Sequence, residues 1–571
     1  APPPLVLPDD ADTSSLVADS AELADQVATA RGNVHLERDG QTLEAPFVRY
    51  NRATTQTEAR GGLKYLRDGL YLTADNGNVN TRAHTGEFEN VDYSVLTNGA
   101  RGKANQVSSA GNNSYQLNGA DYSTCPGPTK AWLLSARRID LDRASGRGVA
   151  RDATLKIYDV PVFYTPYLNF PIDDQRHTGF LAPVIGGSGN SGFELATPYY
   201  INLADNYDAT IVPRVMSKRG LQLGGQFRYL YEHHVGQLNG QILPYDAEYG
   251  EERDLLHYEH LGQLSENVGI AATFSRVSDD DYFDDLSNNL ANTSTTNLER
   301  SVALEAVQPG MRFTLLAQDF QTLNDDFNGL GGRFEDNPYR RVPEARVEML
   351  TPTAPFQVGL DGEFVNFRRD DSVNAYRTDA RPKIQWTHDT GGYFLNSEAA
   401  YRITHYDLRD LNDARGFVTP TDDTVNRTIP SFEAGAGLRL SRSFNNGWIQ
   451  TLTPRMQYLL VGYEDQSNIP IFDSGTATLN YDQLYSQNRF TGLDRVTDAN
   501  QLTLGVSSRI ISPNTGRTVG EAAVGRITSF RDQRVDLPNA GTTGFKSSRT
   551  EFGSIYADSQ AMGVEVLATT Q

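Results

Sequence analysis

Residues 30–45, "ARGNVHLERDGQTLEA", align without gaps on residues 59–74, "ARGGLKYLRDGLYLTA", so a segment recurs after 29 residues. Eight of the sixteen aligned positions are identical. Each copy carries "RDG" between two alternating segments, and Asp-Gly is a signal for a tight hairpin turn. The same offset relates "VDYS" (91–94) to "ADYS" (120–123). A fixed period of strands and turns predicts a stack of β-hairpins, in a jelly-roll or solenoid-like arrangement.

Apolar residues at equivalent positions of the two copies share one face of the predicted hairpins. One interpretation is an ordinary β core, and the other is a groove, open along one side, that holds acyl chains. The candidate residues of this lipid groove are Val34, Leu36, Leu43, Leu63, Tyr65 and Leu72.

Composition narrows the class of protein. A chain of 571 residues is too long for one ordinary core, so we expect either more than one unit or one very large barrel. Its 28 Tyr, 25 Phe and 50 Gly favour an all-β fold. Mean hydropathy is −0.49, and no run approaches 18 apolar residues, so a helical membrane span is excluded. A membrane barrel is not excluded, because its strands alternate between apolar and polar faces. The net charge of −21 argues against a nucleic-acid partner.

Longer alternating segments begin near residue 190. In "FEAGAGLRL", Phe432 and Leu438 face one way, whereas Glu433 and Arg439 face the other. Segments of about ten residues with one apolar face and one polar or glycine face are typical of a transmembrane β-barrel. A soluble β-sandwich, with its apolar face inward, is the alternative.

No motif for catalysis accompanies these strands: the sequence lacks HExxH, GxSxG and a phosphate-binding glycine loop. His257 and His260 are three residues apart, which on a strand directs them to opposite faces. His177 lies near Asp173 without a nucleophile motif. We therefore predict no enzyme and no cofactor.

An acidic run gives the candidate metal ligands, although such a run is also typical of a solvated loop, and we assign no metal site. The candidates are Asp279, Asp281 and Asp284. The only cysteine, Cys125 in "YSTCPGPTKAW", is either a buried thiol or half of a disulfide whose partner is absent from this sequence.

Two longer stretches resemble a known family. "VPVFYTPYLNFPIDDQRHTGFLAP" (160–183) and "ELATPYYINLADNYDATIVPRVMSKRGLQLGGQFRYLY" (194–231) closely resemble the outer-membrane LPS-assembly family, LptD, also called the organic-solvent-tolerance family. "YSTCPGPTKAW" and "DDDYFDDL" resemble further landmarks of that family, in the expected order. The resemblance runs from about residue 25 to at least residue 535.

The resemblance implies a periplasmic β-jelly-roll followed by a large antiparallel transmembrane β-barrel in the Gram-negative outer membrane. The implied divisions are a mobile Pro-rich lead (1–20), the jelly-roll (21–160), a junction (161–182) and the barrel (183–571). The implied function is insertion of lipopolysaccharide into the outer leaflet, with the lipid in the groove and the glycan in the lumen. The implied partners are a plug lipoprotein, LptE, and a periplasmic bridge of LptA-type jelly-rolls. A porin or receptor with a periplasmic domain is the alternative, but it has no use for an apolar hairpin stack.

The family's lateral gate maps to Pro183 and Pro198, in the first strands of the barrel. A proline removes one ladder donor, so strand pairing there opens at lower cost. The alternative is that both are ordinary strand-edge prolines. This sequence departs from the family in two ways. The family usually carries two disulfides, whereas Cys125 is the only cysteine here, and the final "GVEVLATTQ" lacks a closing aromatic strand. We therefore expect that part of the barrel is missing from the C-terminal end of this sequence.

Overall fold

The computed structural model describes residues 15–538 and 550–570, with short gaps. The gaps are residues 39, 68, 81, 97–98, 112, 126–130, 174, 288, 324–337, 352–355, 371, 412–417, 419, 478–479 and 560–561. The side chains of residues 38, 290 and 550–570 are also outside the description. Most of the predicted N-terminal lead, up to residue 14, therefore lies outside the described residues.

The predicted all-β fold class is confirmed, as a jelly-roll followed by the antiparallel sheet of a large β-barrel. The chain divides into two compact units: Ala1–Ala182 with Pro198–Asn202, and Pro183–Thr197 with Leu203–Gln571. Among the described residues, no helix is both long enough and apolar enough to cross a membrane.

The first unit contains an antiparallel sheet of twelve described strands, in which each strand from β3 onward pairs with the next and both β1 and β2 pair with β3. The strands are β1 (Ser15–Val17), β2 (Ser20–Ala24), β3 (Val27–Arg38), β4 (Gln41–Asn51), β5 (Gln56–Arg67), β6 (Leu70–Asn80), β7 (Thr85–Val95), β8 (Arg101–Ala110), β9 (Ser114–Tyr122), β10 (Trp132–Asp142), β11 (Arg147–Ile157) and β12 (Val160–Pro171). The pairs Arg38–Gln41 and Arg67–Leu70 close two-residue turns, so the hairpins predicted from "RDG" are confirmed.

The 29-residue period extends through four alternate strands, β3, β5, β7 and β9. Each of these strands contains a residue in the left-handed region of φ, which Gly and Asn tolerate best. These residues are Gly32 (φ 76°), Gly61 (86°), Asn90 (52°) and Gly119 (54°). Two positions before each of them lies a buried apolar residue. Those residues are Ala30, Ala59, Phe88 and Leu117. The register of pairing slips beside Gly32 and Gly61, so these positions form β-bulges that bend the sheet.

One continuous hydrophobic core covers one face of this sheet. It contains residues from every strand between β3 and β11, with Leu63 2% and Ile139 0% exposed. The rings of Tyr65 and Phe88 are 5.2 Å apart within it. The opposite face carries cross-strand ion pairs such as Lys64–Glu44 at 3.3 Å, which places that face in solvent.

The remaining strands form a second antiparallel sheet of 22 described strands. They are β13 (Gly179–Phe180), β14 (Val184–Ser188), β15 (Gly192–Ala196), β16 (Tyr199–Ala204), β17 (Tyr207–Met216), β18 (Gly220–Tyr231), β19 (His234–Leu243), β20 (Arg253–Ser265), β21 (Val268–Val277), β22 (Asn297–Gln308), β23 (Met311–Thr322), β24 (Arg340–Leu350), β25 (Phe356–Arg368), β26 (Asn374–Asp389), β27 (Tyr393–Arg409), β28 (Thr424–Leu438), β29 (Leu440–Ser443), β30 (Ile449–Val461), β31 (Ala499–Ile511), β32 (Thr518–Ser529), β33 (Thr550–Ser559) and β34 (Met562–Thr570). Two short helices, α1 (Tyr282–Leu286) and α2 (Leu290–Thr293), follow β21, and a 3-10 turn (Asp482–Tyr485) precedes β31.

The faces of this second sheet alternate as predicted. Phe432 and Leu438 of β28 are 42% and 47% exposed, whereas Glu433 between them accepts hydrogen bonds from Asn396 and Gln487. Apolar side chains that are exposed on one face, with hydrogen-bonded polar side chains on the other, are the arrangement of a membrane barrel.

Candidate functional site

The first unit contains a cavity of about 600 Å³ on the core side of its sheet. This volume lies within the range of about 300–1,000 Å³ that is usual for ligand pockets. Its aliphatic lining consists of Leu70, Leu72, Val95, Ala100, Val107, Leu117, Leu141 and Ile172, and its aromatic lining of Tyr93, Tyr115 and Tyr122. A lining of this kind suits a hydrocarbon chain.

The cavity crosses the sheet from one end to the other. At one end lie Leu70 and Val95, which pair across β6 and β7 next to the turns there. At the other end lie Leu141 and Gly146, where β10 turns into β11, and Ile172, directly after β12. The cavity therefore leads towards the end of the sheet from which the chain continues into the residues beyond β12.

The six predicted groove residues all lie in the core around this cavity. Each is at most 7% exposed, and all six belong to the same hydrophobic cluster. Leu72 also lines the cavity, whereas the other five are absent from its wall. The structure thus brings the six together, with one of them on the cavity surface.

Sequence reasoning did not single out Tyr93 and Tyr122, although both belong to the repeated "VDYS" and "ADYS". The Tyr93 hydroxyl donates a 2.6 Å hydrogen bond to the carbonyl of Asp121. Burial raises the pKa of both tyrosines above its usual value, so both phenols are neutral at physiological pH. The Tyr122 ring packs 5.7 Å from that of Phe170 and 6.2 Å from that of Trp132. These rings give the wall a fixed shape.

Charged residues lie at the end of the cavity beside β12. Arg143 and Asp173 belong to its lining. The Nε2 atom of His177 is 2.7 Å from Oδ1 of Asp173, and this hydrogen bond lowers the pKa of the Asp173 carboxyl. A Cβ atom on Gly146 would lie 1.9 Å from Asp173 Oδ2 and 2.8 Å from His177 Nε2. The absence of a side chain at position 146 therefore lets this pair pack directly on the β10–β11 turn.

Neither predicted gate proline occupies a paired position in the described ladders. Pro183 lies just before β14, whose first residue, Val184, pairs with Ala196 of β15. Pro198 lies between β15 and β16, and its carbonyl accepts a 2.9 Å hydrogen bond from the amide of Leu181. Both prolines therefore lie where regular strand pairing is interrupted.

Carboxylates of the acidic run after β21 form ion pairs with arginine side chains. The Arg253 side chain is fully buried and binds three carboxylates. They are Asp246 at 3.1 Å, Asp279 at 2.5 Å and Asp285 at 2.8 Å. Asp281 precedes α1 and Asp284 lies in its first turn. Within the described part of the chain, no three His, Cys, Asp or Glu side chains are grouped as metal ligands.

The described residues of 462–498, the connection between β30 and β31, contact the polar face of the second sheet. Arg377 of β26 has a fully buried side chain, and it binds Asp473 at 2.6 Å and Asp494 at 2.8 Å. Arg427 of β28 donates to the carbonyl of Leu493 at 2.7 Å. These contacts occupy part of the polar face with chain from the β30–β31 connection.

Three residues noted in the sequence do not contribute to the cavity. Cys125 is a free, partly exposed thiol, and as the only cysteine of the sequence it has no partner within it. His257 lies 2.8 Å from the hydroxyl of Ser275, whereas His260 lies 2.6 Å from the hydroxyl of Tyr229. The two histidines thus have separate partners.

Comparisons with known proteins agree on one family. A family model described as LPS transport system D (LptD) matches residues 251–557, and one described as LptD protein matches residues 149–312. An LPS-assembly protein LptD of Nitrosococcus oceani is 37% identical over 521 residues, which are 90% of this chain and 69% of that protein. Another, of Azoarcus sp., is 35% identical over 551 residues, 91% of this chain and 65% of that protein. The chain thus spans about two thirds of the length of these relatives.

A solved structure described as a bacterial polysaccharide outer membrane secretin is similar over 66% of this chain and 94% of its own. The TM-score is 0.24 and the sequence identity is 10%, so this similarity indicates neither the fold nor the function of this chain.

Proposed function

The chain belongs to the LptD family of LPS-assembly proteins, and from this premise we propose that it inserts lipopolysaccharide into the outer leaflet of the Gram-negative outer membrane. Family membership supports transport and assembly at that membrane, not enzymatic turnover. The observation that carries the proposal is the cavity of about 600 Å³ in the first unit, whose wall is formed mainly by aliphatic and tyrosine side chains.

The cavity supports a route for the acyl chains. Each methylene that leaves water for an apolar wall is stabilised by about 0.8 kcal/mol, so several chain carbons suffice to hold the lipid. Because the lining extends from the turns beside Leu70 to the turn at Gly146, a chain can move along it while remaining buried. The delivery of further lipid molecules to the cavity then gives the direction of transport.

The polar face of the second sheet supports a route for the glycan through the lumen. On β18, Leu221 and Leu223 are 50% and 42% exposed, whereas Gln222 between them is 3% exposed. Amide side chains on this face bond to one another across the strands. The pairs are Gln222–Gln241 at 3.3 Å and Gln226–Asn239 at 3.1 Å. Amides and carboxylates present the donors and acceptors that sugar hydroxyls require.

A lateral gate at Pro183 and Pro198 completes the proposed route. The interrupted pairing at both prolines lowers the number of ladder hydrogen bonds that must break before strands separate. A lipid can then leave the protein sideways while its glycan passes through the lumen.

The proposed partners follow the family resemblance: LptE as the plug lipoprotein, and an LptA-type jelly-roll bridge that delivers lipopolysaccharide to a periplasmic first unit. The bridge is supported by the exposed N-terminal strands. Every residue of β1 and β2 is exposed, and in the described sheet both strands pair with β3 alone. A free edge of this kind accepts a further strand from a similar sheet.

Photo-crosslinking in cells tests the proposal. A benzophenone amino acid at Leu72 or Val107, both on the cavity wall, should capture lipopolysaccharide. The matched controls are exposed positions on the same strands, Asp75 of β6 and Lys103 of β8. Equal capture at wall and control positions would contradict the proposal.

A further inference from the structure

The apolar cavity has a charged lip at the end beside β12. Arg143 and Asp173 are the charged residues of its lining, and both lie at this end. The rest of the wall is aliphatic, phenolic or backbone. A ligand that fills the cavity therefore has its apolar part along the strands and any charged part at the lip.

Arg143 differs from its neighbours in having no side-chain partner among the described residues. Arg137 binds Asp152 at 2.7 Å, and Arg138 binds Asp140 at 2.7 Å. Arg147 donates to the carbonyl of Thr178 at 3.4 Å. By contrast, only the backbone amide of Arg143 is engaged, with the carbonyl of Asn113 at 2.7 Å. The five N–H donors of its guanidinium group are therefore available to a ligand.

The carboxylate of the lip, Asp173, already has hydrogen-bond partners. Asp173 accepts a hydrogen bond from the amide of Gln175 at 3.1 Å and lies 2.7 Å from His177. The amide of Ile172, next to it, donates to the carbonyl of Gly146 at 2.9 Å. These contacts fix the carboxylate against the β10–β11 turn, so Arg143 remains as the cation that an incoming anion meets.

We propose that Arg143 binds a phosphate of the lipid headgroup whose acyl chains occupy the cavity. The inference rests on the function proposed above and adds to it the recognition of the phosphorylated sugar. A guanidinium binds phosphate through two parallel N–H···O bonds, a geometry that an ammonium cannot reproduce. In lipid A, the phosphates are attached to the acylated sugars themselves, so they lie next to the chain that enters the wall. Acyl burial and phosphate binding then act on one molecule, which favours phosphorylated lipids.

The test uses the whole 571-residue chain in detergent micelles, with a benzophenone amino acid at Leu117 on the wall. The probes are bisphosphorylated lipid A and the same lipid after removal of both phosphates. Variants are Arg143→Gln, which removes the charge, and Arg143→Lys, which keeps the charge but not the paired donors. Arg49→Gln, on the exposed face of β4, makes the same change of net charge away from the cavity.

A charge-assisted contact predicts about a tenfold preference of the unchanged chain for the phosphorylated lipid. Arg143→Gln should abolish the preference by lowering capture of the phosphorylated lipid to the level of the dephosphorylated one. Arg143→Lys should retain part of the preference, and Arg49→Gln should leave it unchanged. Added inorganic phosphate, matched in ionic strength by chloride, should compete weakly. Loss of the preference in inorganic phosphate alone would show a site for the free anion and overturn the proposal.

Two negative results separate the proposals. Equal capture of both lipids by the unchanged chain, or an unchanged preference in Arg143→Gln, would overturn the role of Arg143 and leave the lipid route intact. Capture of neither lipid at Leu117 would contradict the lipid route itself.

Discussion

Tyr93 of β7 and Tyr122 of β9 are separated by 29 residues in the sequence and line the same cavity of the first unit. One period of the repeat thus places equivalent rings on one wall, with β8 between their strands. The wall is built from a repeated unit, and changes to that unit give testable consequences.

Filling the cavity should block transport without unfolding the protein. Val107→Trp places an indole in the space beside Val107, which is 5% exposed. We expect reduced lipopolysaccharide at the cell surface and increased sensitivity to hydrophobic antibiotics, at an unchanged protein level. Lys103→Trp, on the exposed face of the same strand, is the control and should have no effect. Normal surface lipopolysaccharide in Val107→Trp would show that lipid does not use this space.

The bulge at Gly61 should tolerate asparagine better than alanine. Gly61 has a φ of 86°, and a Cβ there would meet nothing closer than Pro46 at 3.7 Å. Gly61→Ala should therefore cost about 1–2 kcal/mol through the backbone alone. Asparagine already occupies the equivalent position 90 with a φ of 52°, so Gly61→Asn should cost less. Hydrogen exchange of the β5 amides in the full chain measures both variants, and equal protection in the two would count against this explanation.

Adding backbone donors at the two prolines should impair export. Pro183→Ala combined with Pro198→Ala gives each position a backbone N–H, which allows the pairing of β14 and β16 to extend by one residue into the interrupted positions. We expect less lipopolysaccharide at the surface, measured by its accessibility to modification from outside the cell. Pro166→Ala, within β12, is the control. The gate is refuted if the double variant exports normally while heat-modifiable mobility shows a folded barrel.

The buried ion pairs of Arg377 should hold the segment 462–498 in place. Arg377→Met leaves Asp473 and Asp494 without their buried cation, and breaking a buried pair in this way costs about 3–5 kcal/mol. We expect protease cleavage within 462–498 in the full chain. Arg439→Met removes an exposed pair with Asp389, which water screens, and should leave this segment resistant. Resistance in Arg377→Met would mean that other contacts hold the segment.

Local sequence patterns predicted the hairpins, because turn residues and alternation act within a few residues of each other. The turns at Gly40 and Gly69 have positive φ, as expected for "RDG". The cavity could not be predicted in the same way. Its wall combines Leu70 with Leu141 and Ile172, and only the bending of the whole sheet brings such distant residues together.

The ion-pair partners of charged residues could not be predicted from the sequence either. The run containing Asp279 suggested either a cation site or a solvated loop, and the sequence gives no local sign of Arg253, which lies on β20 and binds that carboxylate. Tyr93 and Tyr122 were within reach of sequence reasoning, since both belong to the repeated "DYS". The predicted groove residues came from the first two copies of the repeat alone, whereas Tyr93 and Tyr122 belong to the later strands β7 and β9.

The left-handed residues at positions 32, 61, 90 and 119 also set a unit of length. Each 29-residue step adds two strands, and two strand spacings amount to about 10 Å of sheet. An insertion or deletion of one whole step would therefore widen or narrow the first sheet by that amount and keep every side chain on its own face. A change of any other size would put the bulges out of phase. The extent of the first sheet across its strands is in this sense a whole number of repeats.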